Sequence, residues 1–491
     1  MPATNELQTP RIIVRMYKIG TGDFFLLKLI ENENKFHFII IDCGSYKLDE
    51  ALLNGIIDEI IVETNGTIDL LIVSHEHADH IKGFSQCKDR FSKLKFKKIW
   101  FAWTEDINDP FANELREQYV KIRLALNEAA VQLSKFSSEG YYETLYKNEL
   151  KFDELMEREK EFAEALDWLN TLNNVNQVTK NDSKLTMVDK FKTWNIIDKD
   201  TIVEFKEPGE VIEALEGIAG IRCFILGPPR DLTSLNDEGR ENDYYEKRDN
   251  PSELNTEFMT ALTCRISGSA LPYPFKAEYL AKEDSLLKED YFNPKSTSAW
   301  RRIDSNWLMN AGELALRFER CLNNTSLALA IQIESTEHIL LFPADAEFGN
   351  WNSWHNALNW DISLADGTSK KINAEYILNN TVFYKAGHHL SQNGTPKKKG
   401  LDLMNNPLLT VFVPLDLDII SKNWKNTMPN DLLGASLIDK TRGKMYFSGN
   451  RQKILNNIKT TRVTIDRKRI TQIDKNNQAF DPKTFVEVEV V

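Results

Sequence analysis

Three histidines and one aspartate lie within six residues of this chain, in the segment "SHEHADH" (His75, His77, Asp79 and His80). The whole sequence of 491 residues contains only 8 histidines, so this concentration is unusual. Two histidines separated by one residue can turn toward one ion, and the aspartate and third histidine can face a second ion beside it. Imidazole nitrogen with carboxylate oxygen is a ligand set typical of zinc, and manganese or iron would also accept it. The segment therefore predicts a metal site.

A hydrophobic run, "IDLLIV", ends immediately before these residues. Short apolar runs bounded by polar residues are typical of buried β-strands. Because ligand sites in α/β proteins lie at the carboxyl ends of strands, we expect the four side chains to extend from the end of a central strand.

Strand-like runs occur in two blocks, one that includes "FHFIIIDCG" and a later one that includes "HILLFPAD" and "NTVFYKAG". Between Thr104 and about Asp200 the apolar residues instead recur at helical spacing, which predicts two packed amphipathic helices. The first apolar stripe contains Leu115, Tyr119, Ile122, Leu126, Ala129 and Leu133, and the second contains Phe152, Leu155, Phe162, Leu166, Leu169 and Leu172. A second, irregular stretch covers roughly 231 to 322. The pattern predicts a β-rich core split by two insertions.

Composition narrows the classes of function and location. The formal net charge of −12 opposes broad, non-specific binding of nucleic acid, so a polyanion would need a local basic patch. Uncharged apolar runs such as "FHFIII" fall far short of the ~20 residues that span a bilayer, which predicts no membrane partner. The N-terminal "MPATNELQTP" is polar and does not read as a signal peptide. Five cysteines without C-x-x-C spacing are typical of reduced thiols, so we expect a cytoplasmic protein.

"SHEHADH" resembles the His-x-His-x-Asp-His signature of the metallo-β-lactamase fold. Three further segments resemble the soluble hydrolase domain of ComEC-type DNA-uptake proteins and their stand-alone relatives: "MYKIGTGDFFLLKL…FIIIDCGS", "NNTSLALAIQIESTEHILLFPADAE" and "VFYKAGHHLSQNGTP". The resemblance covers roughly residues 11 to 102, 209 to 230 and 323 to 415. Stand-alone proteins of this branch are similar to those of bacterial defence operons, which suggests a role in antiviral defence.

The resemblance implies an α/β fold, specifically a four-layer αββα metallo-β-lactamase sandwich with a helical insertion and a second irregular insertion. The expected boundaries are 1–103 for the first half of the core, 104–205 for the helical insertion, 206–230 for a core strand, 231–322 for the second insertion, 323–415 for the second half of the core and 416–491 for a C-terminal extension.

The resemblance also implies a set of ligands. His75 and His77 would bind a first metal, and Asp79 and His80 would bind a second. Asp345 would bridge the two ions, and either His388 or His389 would complete the set, the other facing the substrate. Asp42 would support the ligand histidines from behind.

One expected ligand is absent. The family places a histidine in the middle of the chain to complete the first metal site, and Gly227 stands at that position in "CFILGPPRD". The first site would then keep three side chains and water, which is still a normal catalytic zinc arrangement. Asp231 is a candidate replacement from nearby. We therefore expect one or two Zn²⁺ ions, with Mn²⁺ as an alternative.

These expectations point to a metal-dependent hydrolase, most directly a phosphodiesterase or nuclease that uses a metal-activated hydroxide. Asp79 would orient the nucleophile, and His389 is the expected catalytic histidine of its pair. Lys397, Lys398 and Lys399 follow the His-His segment and would bind the phosphates of a nucleic acid or another phosphodiester.

Two alternatives stay open at the sequence level. The same fold hosts hydrolases of other esters and thioesters. A non-catalytic subunit with a structural metallo-β-lactamase core, contacting a protein partner through its helical insertion, is the second alternative, and Gly227 favours it.

Overall fold

The computed structural model describes residues 10–138, 185–239, 243–244, 318–363, 368–420, 428–458 and 484–490. The second predicted helical stripe and most of the second insertion lie outside these residues. The chain divides into two compact units. One consists of Met1–Asn113, Leu185–Asn250 and Arg320–Val491, and the other of Glu114–Lys184 and Pro251–Glu319. Every candidate site residue belongs to the first unit.

The described residues are α/β in class. Their strands are β1 (Arg11–Tyr17), β2 (Phe25–Asn32), β3 (Lys35–Ile41), β4 (Thr67–Ile72), β5 (Lys95–Ala102), β6 (Ile202–Lys206), β7 (Val211–Ile212), β8 (Ile221–Ile225), β9 (Leu329–Ile333), β10 (His338–Phe342), β11 (Asn359–Ser363), β12 (Ser369–Asn373), β13 (Thr381–Lys385), β14 (Thr410–Val413), β15 (Met445–Phe447) and β16 (Phe485–Val490). Their α-helices are α1 (Glu50–Glu63), α2 (Ala78–Gln86), α3 (Lys88–Phe91), α4 (Pro110–Ser138), α5 (Met187–Thr193), α6 (Leu232–Leu235), α7 (Phe348–Ala357), α8 (Ala374–Asn379), α9 (Asp431–Thr441) and α10 (Arg451–Asn457).

Two mixed sheets of seven strands organise the first unit. The first has the order β16-β1-β2-β3-β4-β5-β6, and the second has the order β15-β14-β13-β10-β9-β8-β7. In the first sheet the pairs from β16 to β3 are antiparallel, and those from β3 to β6 are parallel. The second sheet repeats this scheme: the pairs from β7 to β10 are antiparallel and those from β10 to β15 are parallel.

The two sheets share one hydrophobic core. Alternate residues of a strand point to one face, and the core takes Ile12, Val14 and Met16 from β1 together with residues of β8, β9, β10 and β13. The ring centroids of Phe25 on β2 and Phe342 on β10 lie 5.9 Å apart, in edge-to-face contact between the sheets.

Helices cover the outer faces of both sheets. Helix α1 buries Leu53, Ile56, Ile57 and Ile60, the i, i+3, i+4, i+7 stripe that faces a sheet, and its N-cap Asp49 accepts a hydrogen bond from the amide of Leu52. On the second sheet Trp351 of α7 packs edge-to-face on Tyr384 of β13, at 6.3 Å between centroids.

The helical insertion is shorter than its expected boundaries, 104–205. Helix α4 contains the first predicted stripe, as expected, with Leu115 and Leu126 buried. Within those boundaries, residues 104–113 and 185–205 belong to the first unit. For 185–205, β6 pairs with β5, and Phe191 of α5 packs against Phe84 and Phe101.

The C-terminal extension, 416–491, which the resemblance left unexplained, supplies one edge strand to each sheet. Strand β15 pairs with β14, and β16 pairs with β1. Val486 is fully buried in the shared core, and Arg15 Nε donates to Glu487 Oε2 at 2.8 Å. The last residues of the sequence therefore pair with the first strand of the first sheet.

The structure also bears on the cysteines and on the possibility of a membrane-spanning helix. Cys43, Cys87 and Cys223 are buried free thiols and Cys321 is half-buried, with its Sγ 3.1 Å from Asn236 Oδ1. Cys264 lies outside the described residues. Across the part of the chain that the structure describes, no helix is long and apolar enough to cross a bilayer.

The role of β16 predicts a large effect for Val486→Asp. The change removes an apolar side chain from the shared core and buries a carboxylate there, so we expect the free energy of unfolding to fall by roughly 3 kcal/mol. Glu489→Ala on the same strand is the matched control. Its partner Arg11 and Glu489 itself are 46% and 42% exposed, so the loss should stay below about 1 kcal/mol. Urea unfolding followed by circular dichroism measures both, and equal losses would contradict the burial of β16.

Candidate metal centre

Four loops meet at the carboxyl ends of parallel strands, two from each sheet. In the first sheet Asp42 follows β3, and the segment containing His75 to His80 follows β4. In the second sheet Asp345 follows β10, and the 3-10 turn Gly387–Leu390 follows β13. The expectation that the candidate ligands follow the ends of strands is therefore confirmed in both sheets.

Close backbone contacts fix the loop that carries Asp79. A Cβ on Gly44 would lie 2.4 Å from the carbonyl carbon of Asp79, and one on Gly22 would lie 2.2 Å from the carbonyl oxygen of Gly44. Real side chains do not tolerate such distances, so glycine is required at both positions. The amide of Asp23 also donates to the carbonyl of Asp79 at 2.9 Å. The backbones of the loops that contain Gly22, Gly44 and Asp79 thus contact one another directly, with no side chain between them.

A buried cluster of Asp23, His80, Asp345 and His389 could hold a metal ion. Each residue offers one ligand atom, and these atoms lie within 4.8 Å of one another. His80 Nε2 lies 3.1 Å from Asp345 Oδ2, and His389 Nε2 lies 3.3 Å from the same oxygen. Asp345 therefore stands between two histidines that come from different sheets.

Asp79 joins this cluster through His389. Its Oδ2 accepts a hydrogen bond from His389 Nε2 at 2.9 Å, while its Oδ1 is buried without a hydrogen bond in the described structure. An unsatisfied buried carboxylate oxygen beside two imidazoles is costly unless a cation or water completes it. The donor set of imidazoles and carboxylates accordingly fits a Zn²⁺ or Mn²⁺ ion.

Asp42 hydrogen-bonds His80, the kind of contact that the resemblance implies for it. Its Oδ2 accepts from His80 Nδ1 at 2.7 Å and from the Ser74 hydroxyl at 2.5 Å, and its Oδ1 accepts from the Ser74 amide at 2.8 Å. This contact holds a proton on His80 Nδ1, so that Nε2 is the nitrogen that could bind an ion in exchange for its own proton.

Lys385 and Asp23 are central residues that sequence reasoning did not nominate. Lys385 Nζ is fully enclosed and lies 2.8 Å from Asp23 Oδ2, 3.0 Å from Asp345 Oδ1 and 2.8 Å from the carbonyl oxygen of Ala344. The available signals were a lysine at the end of the apolar run "TVFYK" and the aspartate of the "GTGD" turn. A charged residue in a buried strand needs partners, so Lys385 could have been suspected.

The protonation of the cluster follows from its carboxylates. Burial opposes the charged form of His389, but Asp345 and Asp79 outweigh it and raise the pKa of His389 to about 9. The pKa of His80 is raised well above its usual value against the same burial, mainly by Asp345, Asp23 and Asp42. Burial would raise the pKa of Asp79, yet the hydrogen bond from His389 and the charge of His80 bring it to about 2.

His75 and His77 form a separate pair. Their Nε2 and Nδ1 atoms lie 2.9 Å apart, so both rings converge on one point. Burial and the neighbouring imidazoles lower the pKa of His75 well below its usual value, and burial lowers that of His77 to about 4. The pair can offer neutral nitrogens, and among the described residues it belongs to no group of three or more ligands.

The space where the third ligand of that pair is expected, beside Gly227, is filled by the side chain of Asn350. A Cβ on Gly227 would lie 2.2 Å from Asn350 Oδ1. That amide is itself held, because Asn350 Nδ2 donates to the carbonyls of Asn324 and Ser326 and Oδ1 accepts from Trp354 Nε1. The Asn350 side chain therefore occupies the space beside Gly227. A histidine at position 227 would require the hydrogen-bond network of Asn350 to move.

The His-His segment has an unusual backbone. His388, His389 and Leu390 have φ values of 43°, 49° and 67°, all in the left-handed region that non-glycine residues avoid. Such strain clusters at functional sites. It sends His389 into the cluster, whereas His388 Nδ1 lies 3.7 Å from the buried Glu347 Oε1. The structure thus separates the two histidines, which the sequence alone left undecided.

Asp231 does not stand in for the missing ligand. It is exposed and serves as the N-cap of α6, accepting a hydrogen bond from the amide of Ser234 at 2.8 Å. A carboxylate engaged in capping a helix is not aimed at an ion, which corrects the expectation made for this residue.

The predicted phosphate-binding lysines occupy two environments. Lys397 and Lys398 are exposed. Lys399 is half-buried, and its Nζ hydrogen-bonds Asn352 of α7 while its carbonyl contacts His355. Only two of the three lysines therefore have the exposure that phosphate binding requires.

Comparisons of the chain with protein-family models, with curated proteins and with solved structures find no match. The likeness to the metallo-β-lactamase fold therefore stays a hypothesis that rests on the motifs quoted above.

The raised pKa of His389 predicts a pH-dependent stability of the metal-free protein. Its folded-state pKa of about 9 exceeds the value of about 6.5 of an unfolded chain. The stabilising contribution is therefore complete below pH 6.5 and is lost as the pH rises through 9. The difference in melting temperature between the wild type and His389→Gln, both in chelator, should narrow over this range. A difference that stays constant between pH 6 and 9 would contradict the assigned charge.

Proposed function

We propose that this protein is a metal-dependent hydrolase of the metallo-β-lactamase fold that acts on phosphodiesters. The observation that carries the proposal is the convergence of His80, Asp345, His389 and Asp79 from the strand ends of two sheets, with Asp42 behind His80. This arrangement agrees with the ligand set that the "SHEHADH" motif implies for the second metal of that fold.

The architecture supports the same assignment. Two mixed sheets with a shared core and helices on their outer faces are what an αββα sandwich requires. Each sheet brings one pair of loops to the site, and in the sequence Glu114–Lys184 of the second unit lie between β5 and β6. The fold alone does not identify the reaction, so the site must.

An ion bound by these ligands would supply Lewis acidity and bring the pKa of a coordinated water close to neutrality. Asp79 Oδ1, which has no hydrogen bond in the described structure, is placed to orient the attacking water, as expected from the sequence. His388, adjacent to the cluster and 3.7 Å from Glu347 Oε1, is the candidate donor of a proton to the leaving oxygen. His389 is then a ligand, and the catalytic role expected of it passes to His388.

A phosphodiester is favoured by the charge near the loop. Gly394 packs against Gly387 so closely that a Cβ on either would clash with the other's backbone. Lys397 is three residues further on, within about 11 Å of that contact even for an extended chain. Lys397 and Lys398 are exposed, so they could contact the phosphates of a polyanion that reaches the centre.

A non-catalytic scaffold is the second candidate function, and Asn350 favours it. Its side chain fills the space beside Gly227 and makes three hydrogen bonds there. The ligand set at His75 and His77 is thereby incomplete, as expected of a site that has lost activity but kept its fold.

Metal analysis and turnover on one preparation test both functions. The wild type, with Zn²⁺ or Mn²⁺, is expected to hydrolyse bis-p-nitrophenyl phosphate or a nucleic acid from a panel of single-stranded DNA, double-stranded DNA and RNA. Asp79→Asn should lower kcat at least about 100-fold. His37→Gln, which changes a histidine near the start of β3, should leave kcat unaltered.

The results of these assays distinguish a phosphodiesterase from a hydrolase of other esters and from a non-catalytic scaffold. Bound metal without turnover on any diester would support the scaffold, and turnover confined to an ester or thioester would replace the phosphodiester assignment. A wild type that binds no metal would contradict every catalytic role given above.

The double change Lys397→Ala, Lys398→Ala tests the substrate class. It should raise KM for a nucleic acid and reduce the slope of log K against log salt by up to about 0.9 for each phosphate contact that is lost. A small chromogenic diester should keep its KM. Lys93→Ala, Lys95→Ala is the matched control, because Lys95 pairs with Thr67, at the opposite end of the sheet from the loop that follows Ile72. Equal effects of the two pairs would argue against a binding patch.

A further inference from the structure

Asp23 lies behind the two histidines of the cluster. Its Oδ2 is 3.7 Å from His80 Nδ1, and its Oδ1 is 3.8 Å from His389 Nδ1. The other nitrogen of each ring, Nε2, faces Asp345, at 3.1 and 3.3 Å. Because the two nitrogens of an imidazole point in divergent directions, an ion bound at both Nε2 atoms lies on the far side of the rings from Asp23.

Asp79 has the opposite placement. Its Oδ2 is 2.9 Å from His389 Nε2, the nitrogen that faces Asp345. Asp79 and Asp23 are both buried carboxylates near His389, but only Asp79 lies on the side of the ring where an ion would bind. Proximity alone groups Asp23 with the ligands, whereas ring geometry excludes it.

Lys385 fixes one oxygen of Asp345. Its ammonium has three hydrogens, and three oxygens lie within hydrogen-bond distance: Asp23 Oδ2, Asp345 Oδ1 and the carbonyl of Ala344. Asp345 Oδ1 is thereby turned away from the histidines, and Oδ2 remains as the oxygen that faces them.

We propose that Lys385 and Asp23 are positioning residues. Lys385 holds Asp345 so that it offers only Oδ2 to the ion, and Asp23 anchors Lys385 while its other oxygen backs His389 Nδ1. The inference rests on the metal site of the proposed function and does not depend on its substrate.

The role of Asp23 mirrors that of Asp42. Histidines that bind metals almost always donate their second ring N–H to a carboxylate, a carbonyl or water. Asp42 accepts from His80 Nδ1 at 2.7 Å. Asp23 Oδ1 is buried without a hydrogen bond in the described structure and lies on the corresponding side of His389. Each sheet's ligand histidine is thus backed by a carboxylate from the first sheet.

Cobalt substitution tests the proposal without any substrate. Co²⁺ replaces Zn²⁺ in such ligand sets, and its visible absorption weakens as the coordination number rises. The variants are Asp79→Asn, Asp345→Asn, Asp23→Asn and Lys385→Met in the full chain. Asp69→Asn is the matched control, since Asp69 is also a buried carboxylate bound to a lysine, Lys97, at 2.6 Å. Each is titrated with Co²⁺ for affinity and spectrum.

Three signatures are expected. Asp79→Asn and Asp345→Asn should lose more than 100-fold in affinity and change the spectrum. Asp23→Asn should lose about 10-fold, as supporting residues do, and keep the wild-type spectrum. Lys385→Met should release Asp345 Oδ1 to the ion, which raises the coordination number and weakens the absorption per cobalt. Asp69→Asn should match the wild type.

Two results would overturn the proposal. A spectrum of Asp23→Asn altered as much as that of Asp345→Asn would make Asp23 a ligand, and an unchanged spectrum of Lys385→Met would remove its positioning role. If Lys385→Met does not fold because two carboxylates lose their cation, Lys385→Met with Asp23→Asn removes one of them and carries the same spectral expectation. A wild type that binds no cobalt would instead contradict the proposed metal site itself.

Discussion

The site depends on the ion pairs of the Asp345 carboxylate. Buried charges are costly unless they are paired and hydrogen-bonded, and Asp345 is only 1% exposed. One of its oxygens is bound by Lys385, and the other faces His80 and His389. Despite burial, the positive charges of these three groups hold the pKa of Asp345 well below its usual range. These partners come from both sheets. The Asp345 charge is therefore paired only when the two sheets are packed together.

The repeated strand scheme explains how two sheets build one site. In each sheet an antiparallel hairpin leads into parallel strands, and the first two parallel strands end at the cluster. The backbone enters a left-handed conformation within two residues of the end of both leading strands, at Asp42 (φ 54°) and Ala344 (φ 52°). The C-terminal residues extend both sheets and also brace the loop before Asp23, since Ser448 Oγ donates to the carbonyl of Gly20 at 2.7 Å.

The sequence predicted the parts of the site that are encoded locally. A buried strand followed at once by His75 to His80 identifies the strand and the candidate ligands at its end. The α/β class and the split core followed from the patterns of strand and helix, and the contact of Asp42 with His80 was implied by the resemblance. What it missed depends on distant contacts. Lys385 has the pattern of a polar residue at the end of a strand until its carboxylate partners are known. Asn350 occupies the space beside Gly227 from helix α7, more than 120 residues later in the sequence. Strand β16 pairs with a strand more than 450 residues earlier, which no local pattern encodes.

His80 and His389 lie in more negative surroundings than His75 and His77. This difference favours a cation at His80 and His389. Around Asp345, the carboxylates of Asp23, Asp42 and Asp79 add to its charge, and the ammonium of Lys385 opposes it. The excess negative charge raises the pKa of His80 and His389, so protons occupy these rings in the absence of metal. A divalent ion would displace those protons and balance the same charge. His75 and His77 have lowered pKa values because burial and the nearby imidazoles outweigh any carboxylate. Gly227 supplies no further ligand to that pair. Among the described residues, the cluster at Asp345 therefore offers the more complete set of ligand atoms for a cation.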